Sequence, residues 1–569
     1  MSHALTVLAA LPLHHLYLDG VAVLALGVLF WRINLSGWAL HANRTRAMRW
    51  RVRCHLRPGN GFASLAELAV QWSRLIAAQR GGRARPSLSW RSRMMGRPHR
   101  HALRLGRAQL GKRAFSSMEE NWLILSPPRK GKTGVLAEWV LKWPGAVIST
   151  STRADVYEAT SGTRYRRGPI HVFNPARVGD VPSTFGWDVV AGCQDPAEAF
   201  ARADALIGPR VGGQGDMAFW QDKAAIALAA LLHAAALARG ADVLDIWAWC
   251  NRQGDAIAGS ALAHHPAASA VLRAVFAEIQ REGRSPDSVR LTMAKSLAWV
   301  AVPSVQAMVS GPMAQPFDAA RFALECGTLY LIAPQGQSAA IAPLFRCFVD
   351  YAHRAATLAG SSFPAGKLDP PVLLALDEVK QVVPVPLDLW LADSAGKGVC
   401  IVAVAHGVSQ LREGWGEHGA ATIWDTTSKL VLPGVQDAQA LDNLSALCGL
   451  VRVGKGENVT EAPVAPPSFI RRMPRWRALV LTADLSPLVV KTRPVWKRTA
   501  YRLGLHARPP RLAATWERLA PLKGQVDPGP GTPPVPEVPA QAAPATPPYG
   551  LPALRPDGEP DNQDAYISD

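Results

Sequence analysis

Two hydrophobic periods share this chain. Short apolar runs bounded by turn residues occur at Trp122–Leu125, Gly145–Thr150, Ile170–Phe173, Thr328–Ala333, Val372–Leu376, Val399–Ala405 and Lys429–Leu432. Apolar runs without polar alternation read as strands buried on both faces, the habit of a parallel sheet. Between several of them the period lengthens to that of a helix, as in Gly134–Trp143 and Ile341–Leu358. This alternation predicts an α/β core with a mostly parallel sheet, beginning near Arg113. From Asp195 to Gly311 the pattern is helix after helix: Pro196–Ile207, Met217–Ala238, Val243–Cys250, Ala268–Glu282 and Ser288–Val309, with Asp195-Pro196 and Ser285-Pro286 as capped starts. That stretch is an all-α insertion whose recurring leucines, such as Leu228, Leu231 and Leu232, form its own core. Two last extended runs, Ala478–Thr482 and Leu488–Lys491, are expected to add edge strands.

The turn after the first strand carries the chemistry. Trp122–Leu125 runs into Ser126-Pro127-Pro128-Arg129-Lys130-Gly131-Lys132-Thr133, and a helical pattern opens at Gly134. Backbone N–H groups from Arg129 onward can converge on phosphate oxygens, Lys132 can reach the outer phosphates, and the Thr133 hydroxyl can hold magnesium. The candidate nucleotide-binding residues are therefore Pro128, Arg129, Lys130, Gly131, Lys132, Thr133 and Gly134. Ser126 stands where such loops usually have their first glycine, and Pro127 and Pro128 contribute no donors. A Gly-Lys-Ser/Thr triplet arises by chance in a chain this long with a probability of roughly one in three, so context decides. The other Gly-Lys pairs, at Gly111, Gly366, Gly396 and Gly454, precede neither Ser nor Thr and join no strand to a helix. The complement of the loop is Val372–Leu376, a buried strand ending in Asp377-Glu378. Adjacent carboxylates divide labour in an NTPase: Asp377 holds the hydrated Mg2+ and Glu378 polarises the attacking water. ATP and Mg2+ are the ligands this pairing implies.

Composition and charge place the remainder. With 48% hydrophobic residues over 569 positions the chain can bury a large core. Seven scattered cysteines without Cys-x-x-Cys spacing argue against zinc or a disulfide framework and for a reducing compartment. The net charge of +18 is concentrated: residues 32–115 hold 19 Lys/Arg and one acid, Glu67. Ahead of them, residues 1–31 are largely apolar, with Asp19 and no Lys or Arg. An apolar start followed by Arg32, Arg44, Arg46, Arg49, Arg51, Arg53 and Arg57 fits a membrane anchor with its basic side in the cytoplasm. One tilted span, one span across Leu5–Trp31, or a re-entrant element all remain open. Phe62–Ala78 reads as an amphipathic helix lying at the interface. The arginine-rich stretch serves topology and anionic lipid, DNA backbone, or only solvent. Residues 528–569 contain 12 prolines and predict a disordered tail. The resulting division is 1–40 membrane anchor, 41–112 basic juxtamembrane region, 113–194 and 316–522 the two parts of the NTPase core, 195–315 the insertion, and 523–569 the tail.

Taken together, Ser126-Pro-Pro-Arg-Lys-Gly-Lys-Thr133, Ser151-Thr-Arg-Ala-Asp155, Phe173-Asn-Pro175, Leu374-Ala-Leu-Asp-Glu378, Ala405-His-Gly-Val-Ser-Gln-Leu411 with Trp415-Gly416, and Lys429-Leu-Val-Leu-Pro-Gly434 resemble the conjugative coupling proteins of type IV secretion, in wording closest to actinobacterial members. The resemblance spans roughly residues 115 to 500. It implies a RecA-like P-loop NTPase core, a homo-hexameric ring anchored in the plasma membrane with its core in the cytoplasm, ATP hydrolysis, single-stranded DNA in a central channel, and partners that include a relaxase or relaxosome and the secretion channel. In the family's pattern His406 or Gln410 takes the place of a nucleotide-sensing glutamine, and Lys397 that of an arginine acting in trans. Two rival readings stay open: a motor of the FtsK/HerA branch moving double-stranded DNA, and a nucleotide-binding membrane receptor or scaffold without turnover.

Overall fold

The computed structural model describes residues 60–501, apart from 210–215, 282–283, 364, 454–458 and 498–500. Its strands are β1 (Leu103–Arg107), β2 (Arg113–Ser116), β3 (Trp122–Leu125), β4 (Val147–Ser151), β5 (Ile170–Phe173), β6 (Gly186–Trp187), β7 (Ala314–Gln315), β8 (Thr328–Ile332), β9 (Val372–Leu376), β10 (Val399–Ala405), β11 (Ser428–Val431), β12 (Leu450–Val453), β13 (Thr460–Pro463), β14 (Arg477–Thr482) and β15 (Leu485–Lys491). Eleven of them form one sheet in the order β2-β1-β15-β14-β11-β3-β10-β9-β4-β8-β5. From β11 to β5 every neighbouring pair is parallel, whereas β14, β15, β1 and β2 are antiparallel additions on one side.

Period-2 alternation sorts the buried strand residues between two cores. Leu123, Leu125, Leu374 and Leu376 face one layer, which continues into the helical insertion through Leu228, Leu231, Leu272 and Phe276. Trp122, Ile124, Leu373 and Ala375 face the other, with Val135, Leu136 and Val140 of the helix Lys132–Lys142. Helices on both faces explain why β3, β4, β8, β9 and β10 are buried at every position. The insertion leaves the sheet after β5 and returns before β8. Its entrance and exit are joined by the parallel ribbon of β6 and β7.

Several elements depart from the pattern reading. The runs at 477–482 and 485–491 lie inside the sheet, because β1 and β2, from a stretch rich in arginine rather than in apolar residues, extend it further. Phe62–Ala78 is not one interfacial helix. Ser64 and Ser73 cap two separate helices, Leu65–Val70 and Arg74–Ala84, and Phe62, Leu68, Trp72, Ala77 and Ala78 bury against protein. The expected helix Ser288–Val309 is two, Arg284–Ser296 and Pro303–Val309, because Pro303 holds Val302 extended and starts a new helix. Ala256–His264, too uniformly small and apolar to show a helical stripe, is a further helix. Asn174 is fully buried, and its side chain bonds to the backbone of Val178 and Val181, so the Phe173-Asn-Pro175 mark is a structural turn. The expected membrane anchor, the arginines between 32 and 57 and the proline-rich tail lie outside the described residues. Among the described residues no helix is long and apolar enough to cross a membrane.

Candidate active site

Strand register brings the two motifs level. Leu125 pairs with Ala405, and Leu376 pairs with Ala403, so the residues that follow β3, β10 and β9 emerge in one row at the carboxyl ends of the parallel strands. Ser126 is fully buried and extends β3 by one more bond, its N–H donating to Ala405 O at 3.0 Å. That bond accounts for a serine where a glycine is usual: the position still follows the strand's hydrogen bonding, and the turn comes later, at Pro128 and Arg129.

Beyond them Arg129 adopts φ 61° and Gly131 φ 103°. Gly131 caps the helix Lys132–Lys142 without any side-chain partner for the first-turn N–H groups. Left-handed residues on either side of Lys130, ahead of an open helix start, suit an anion-binding concavity. Pro128, Arg129 and Lys130 are exposed on the rim, Gly131, Lys132 and Thr133 are half-buried, and Gly134 is buried. Lys130 lies against Gly434, whose Cβ position would be 2.6 Å from Lys130 Cε.

At the centre stands the Lys132 ammonium, 2.7 Å from Glu378 Oε1 and 3.2 Å from Asp377 Oδ1. The residues joined are 246 positions apart in the chain. Burial raises the Asp377 carboxyl above the ordinary range, opposed by Lys132 and reinforced by the neighbouring Glu378. Burial works the same way on Glu378, but the Lys132 ammonium, the Thr152 hydroxyl and His406 outweigh it, and its carboxyl falls below the ordinary range. Glu378 itself is held at φ 51°, a left-handed backbone for a side chain with a Cβ. Thr150 Oγ1 donates to Asp377 O at 3.2 Å and steadies the same turn from β4.

Of the remaining candidates, His406 belongs to this cluster and the others do not. Its Nδ1 lies 3.1 Å from Ser126 O, and its Nε2 lies 3.9 Å from Glu378 Oε1. Gln410 instead turns its carbonyl to accept the His406 backbone N–H at 2.9 Å. Lys397 precedes β10 at the opposite end of the sheet, about 20 Å away by strand rise, and pairs with Asp393 at 2.6 Å. Thr152 lies inside the Ser151-Thr-Arg-Ala-Asp155 motif, although the motif assigns it no role, whereas nothing in sequence links Trp476 and Trp496, which flank the phosphate loop, to it. Thr133 and Asp377 suit a magnesium ion, which needs few protein oxygens beside phosphate and water. Among the described residues no group of three or more His, Cys, Asp or Glu converges as a dedicated metal cage.

The profile of the family described as Type IV secretory system Conjugative DNA transfer matches residues 76–461. The chain belongs to that family. Lys132, Asp377, Glu378 and His406 all lie within the matched residues of this conjugative DNA transfer protein. No protein in a curated collection matches it in sequence. In fold it is similar to the bacterial conjugative coupling protein TrwBdeltaN70, with a TM-score of 0.52 at 17% identity over 66% of this chain and 85% of that one. TrwB in complex with ADP and Mg2+ aligns with a TM-score of 0.52 at 18% identity, covering 68% and 87% of the two chains. TrwB with the non-hydrolysable ATP analogue ADPNP aligns with a TM-score of 0.53 at 18% identity, covering 66% and 86%.

Proposed function

We propose that this protein is a membrane-anchored P-loop ATPase that couples ATP hydrolysis to moving DNA or a nucleoprotein into a conjugative type IV secretion channel. The observation that carries the reading is the Lys132 ammonium held against Asp377 and Glu378 at the carboxyl ends of the parallel sheet. TrwB, similar in fold, has been solved with ADP and Mg2+ and with an ATP analogue, which supports the same ligands here. Magnesium bound by Thr133 and Asp377 would neutralise phosphate charge.

The chain's own groups do the remainder. Backbone N–H groups from Arg129 to Gly134 grip the phosphates, and Lys132 exchanges its carboxylates for phosphate oxygens. Glu378, kept ionised by its surroundings, accepts hydrogen bonds from the attacking water and orients it. His406, bridging Ser126 at the end of β3 and Glu378 at the end of β9, relays the state of the site into β10 and the helix Val408–Thr426. In a homo-hexameric ring these movements would reach single-stranded DNA in the channel, and Lys397 would meet the neighbouring subunit rather than its own site. The plasma membrane places the ring beside the secretion channel, with the core in the cytoplasm, and the helical insertion is the receptor for the relaxase.

ATPase stimulation by single-stranded over duplex DNA, together with loss of turnover and of DNA transfer in Lys132→Ala, tests this reading. Stimulation by duplex alone would favour a double-stranded DNA translocase, and unchanged transfer in Lys132→Ala would favour a scaffold.

A further inference from the structure

Two half-buried tryptophans clamp the phosphate loop from outside. The Trp476 ring lies 2.6 Å from where a Cβ on Gly131 would be, and Trp496 lies 2.5 Å from the same point on Gly134, with Pro494 at 2.9 Å. The rings meet edge to face, 5.8 Å apart at 72°. Trp476 has φ 67°, a conformation costly for an aromatic residue, and is held there by the Thr492 N–H donating to its carbonyl at 2.9 Å. Beside the pair opens a cavity of about 400 Å³ whose wall includes Trp476, Arg493, Pro494, Lys497 and, from the phosphate-loop helix, Val135 and Glu138. Both tryptophans lie beyond the residues that the family profile matches.

A polyphosphate whose outer end meets Lys132 runs back along the loop, so whatever it carries leaves the loop near the first helical turn, at Gly134. There Trp496 and Pro494 pack against Gly134, and the next residue, Val135, lines the cavity together with Pro494. We propose that this cavity is the nucleoside end of the site, taking the flat base of a nucleoside triphosphate against Trp476, which Trp496 buttresses edge to face, while Arg493 and Lys497 make the lining cationic. The assignment rests on the phosphate-loop reading above. Aromatic faces read a π surface rather than a hydrogen-bonding edge, so adenine and guanine bind with similar affinity.

Calorimetric titration of the detergent-purified full chain with Mg-ATP and with Mg-tripolyphosphate separates the base from the phosphates. The wild type binds ATP more tightly than tripolyphosphate. Trp476→Ala weakens ATP by about 5- to 150-fold, the span of base–aromatic stacking, and leaves tripolyphosphate affinity unchanged, while Trp476→Phe recovers most of the ATP affinity. A parallel loss for both ligands would mean that the ring only shapes the loop, and an unchanged ATP affinity in Trp476→Ala would remove the stacking role; either result overturns the assignment. If neither ligand bound the wild type, the phosphate-loop reading itself would fall and this assignment with it.

Discussion

Replacing Lys132 by Met keeps most of the side-chain volume and removes the one cation between two carboxylates. At 2.7 and 3.2 Å, each pair is worth about 5 to 6 kcal/mol of gross attraction at an effective dielectric near 20. Most of that is offset by the cost of taking three charges out of water. Breaking such a pair from one side costs about 3 to 5 kcal/mol, because a charge is left buried alone. Lys132 is 11% exposed, Asp377 5% and Glu378 17%, so solvent screens the loss little. One escape remains open to the variant, the uptake of a proton. Without the ammonium, burial and mutual repulsion raise both folded carboxyl pKa values above their unfolded ones, near 4. Groups raised in this way stabilise the fold below the unfolded pKa and lose that contribution as pH rises. Lys132→Met should therefore lag the wild type most at pH 8 and recover as pH falls towards 5, by about 1.4 kcal/mol per pH unit for each proton taken up. Urea midpoints at pH 5, 6.5 and 8, read by tryptophan fluorescence, measure the gap. A gap of the same size at all three values would refute the geometry described for the three groups.

Gly131→Ala places a Cβ at φ 103° and within 2.6 Å of the Trp476 ring, and nucleotide affinity should fall at least tenfold in a binding titration. Arg164 is fully buried and donates to Thr328 Oγ1 and to the carbonyls of Trp143 and Gly145; Arg164→Met leaves these acceptors unsatisfied and should cost about 3 kcal/mol or more, seen as a lower urea midpoint. His353 is stacked on Trp390 at 4.0 Å and pushed by burial down to about 3. The unfolded state then binds more protons below pH 6.5, so stability falls as pH drops from 6.5 towards 3, and His353→Gln should flatten that slope by about 1.4 kcal/mol per pH unit.

That Lys132 meets Asp377 and Glu378 was legible because the motifs are written in contiguous words. Ser126 to Thr133 announces a phosphate loop and Leu376-Asp377-Glu378 an acidic strand end, and the buried runs around them predict parallel strands. Strand order was not legible. Nothing local says that β10 inserts between β3 and β9, although that order puts His406 beside Glu378. Nor does sequence reveal that Gln410, on the same stretch, spends its carbonyl on the His406 N–H. Elements with weak apolar signals were lost for the same reason: β1, Leu-Arg-Leu-Gly-Arg, gains its place by pairing with β2 and β15 rather than from its own pattern. Trp476 and Trp496 reach the loop only through the return of β15 alongside β14.

Glu378→Gln bears most directly on the central claim, since it removes the charge proposed to orient water and keeps the side chain's shape. In side-by-side assays of the full-length protein, Mg-ATP binding should persist while DNA-stimulated ATP hydrolysis and conjugative transfer fall to background. Hydrolysis and transfer at wild-type levels in that variant would contradict the account.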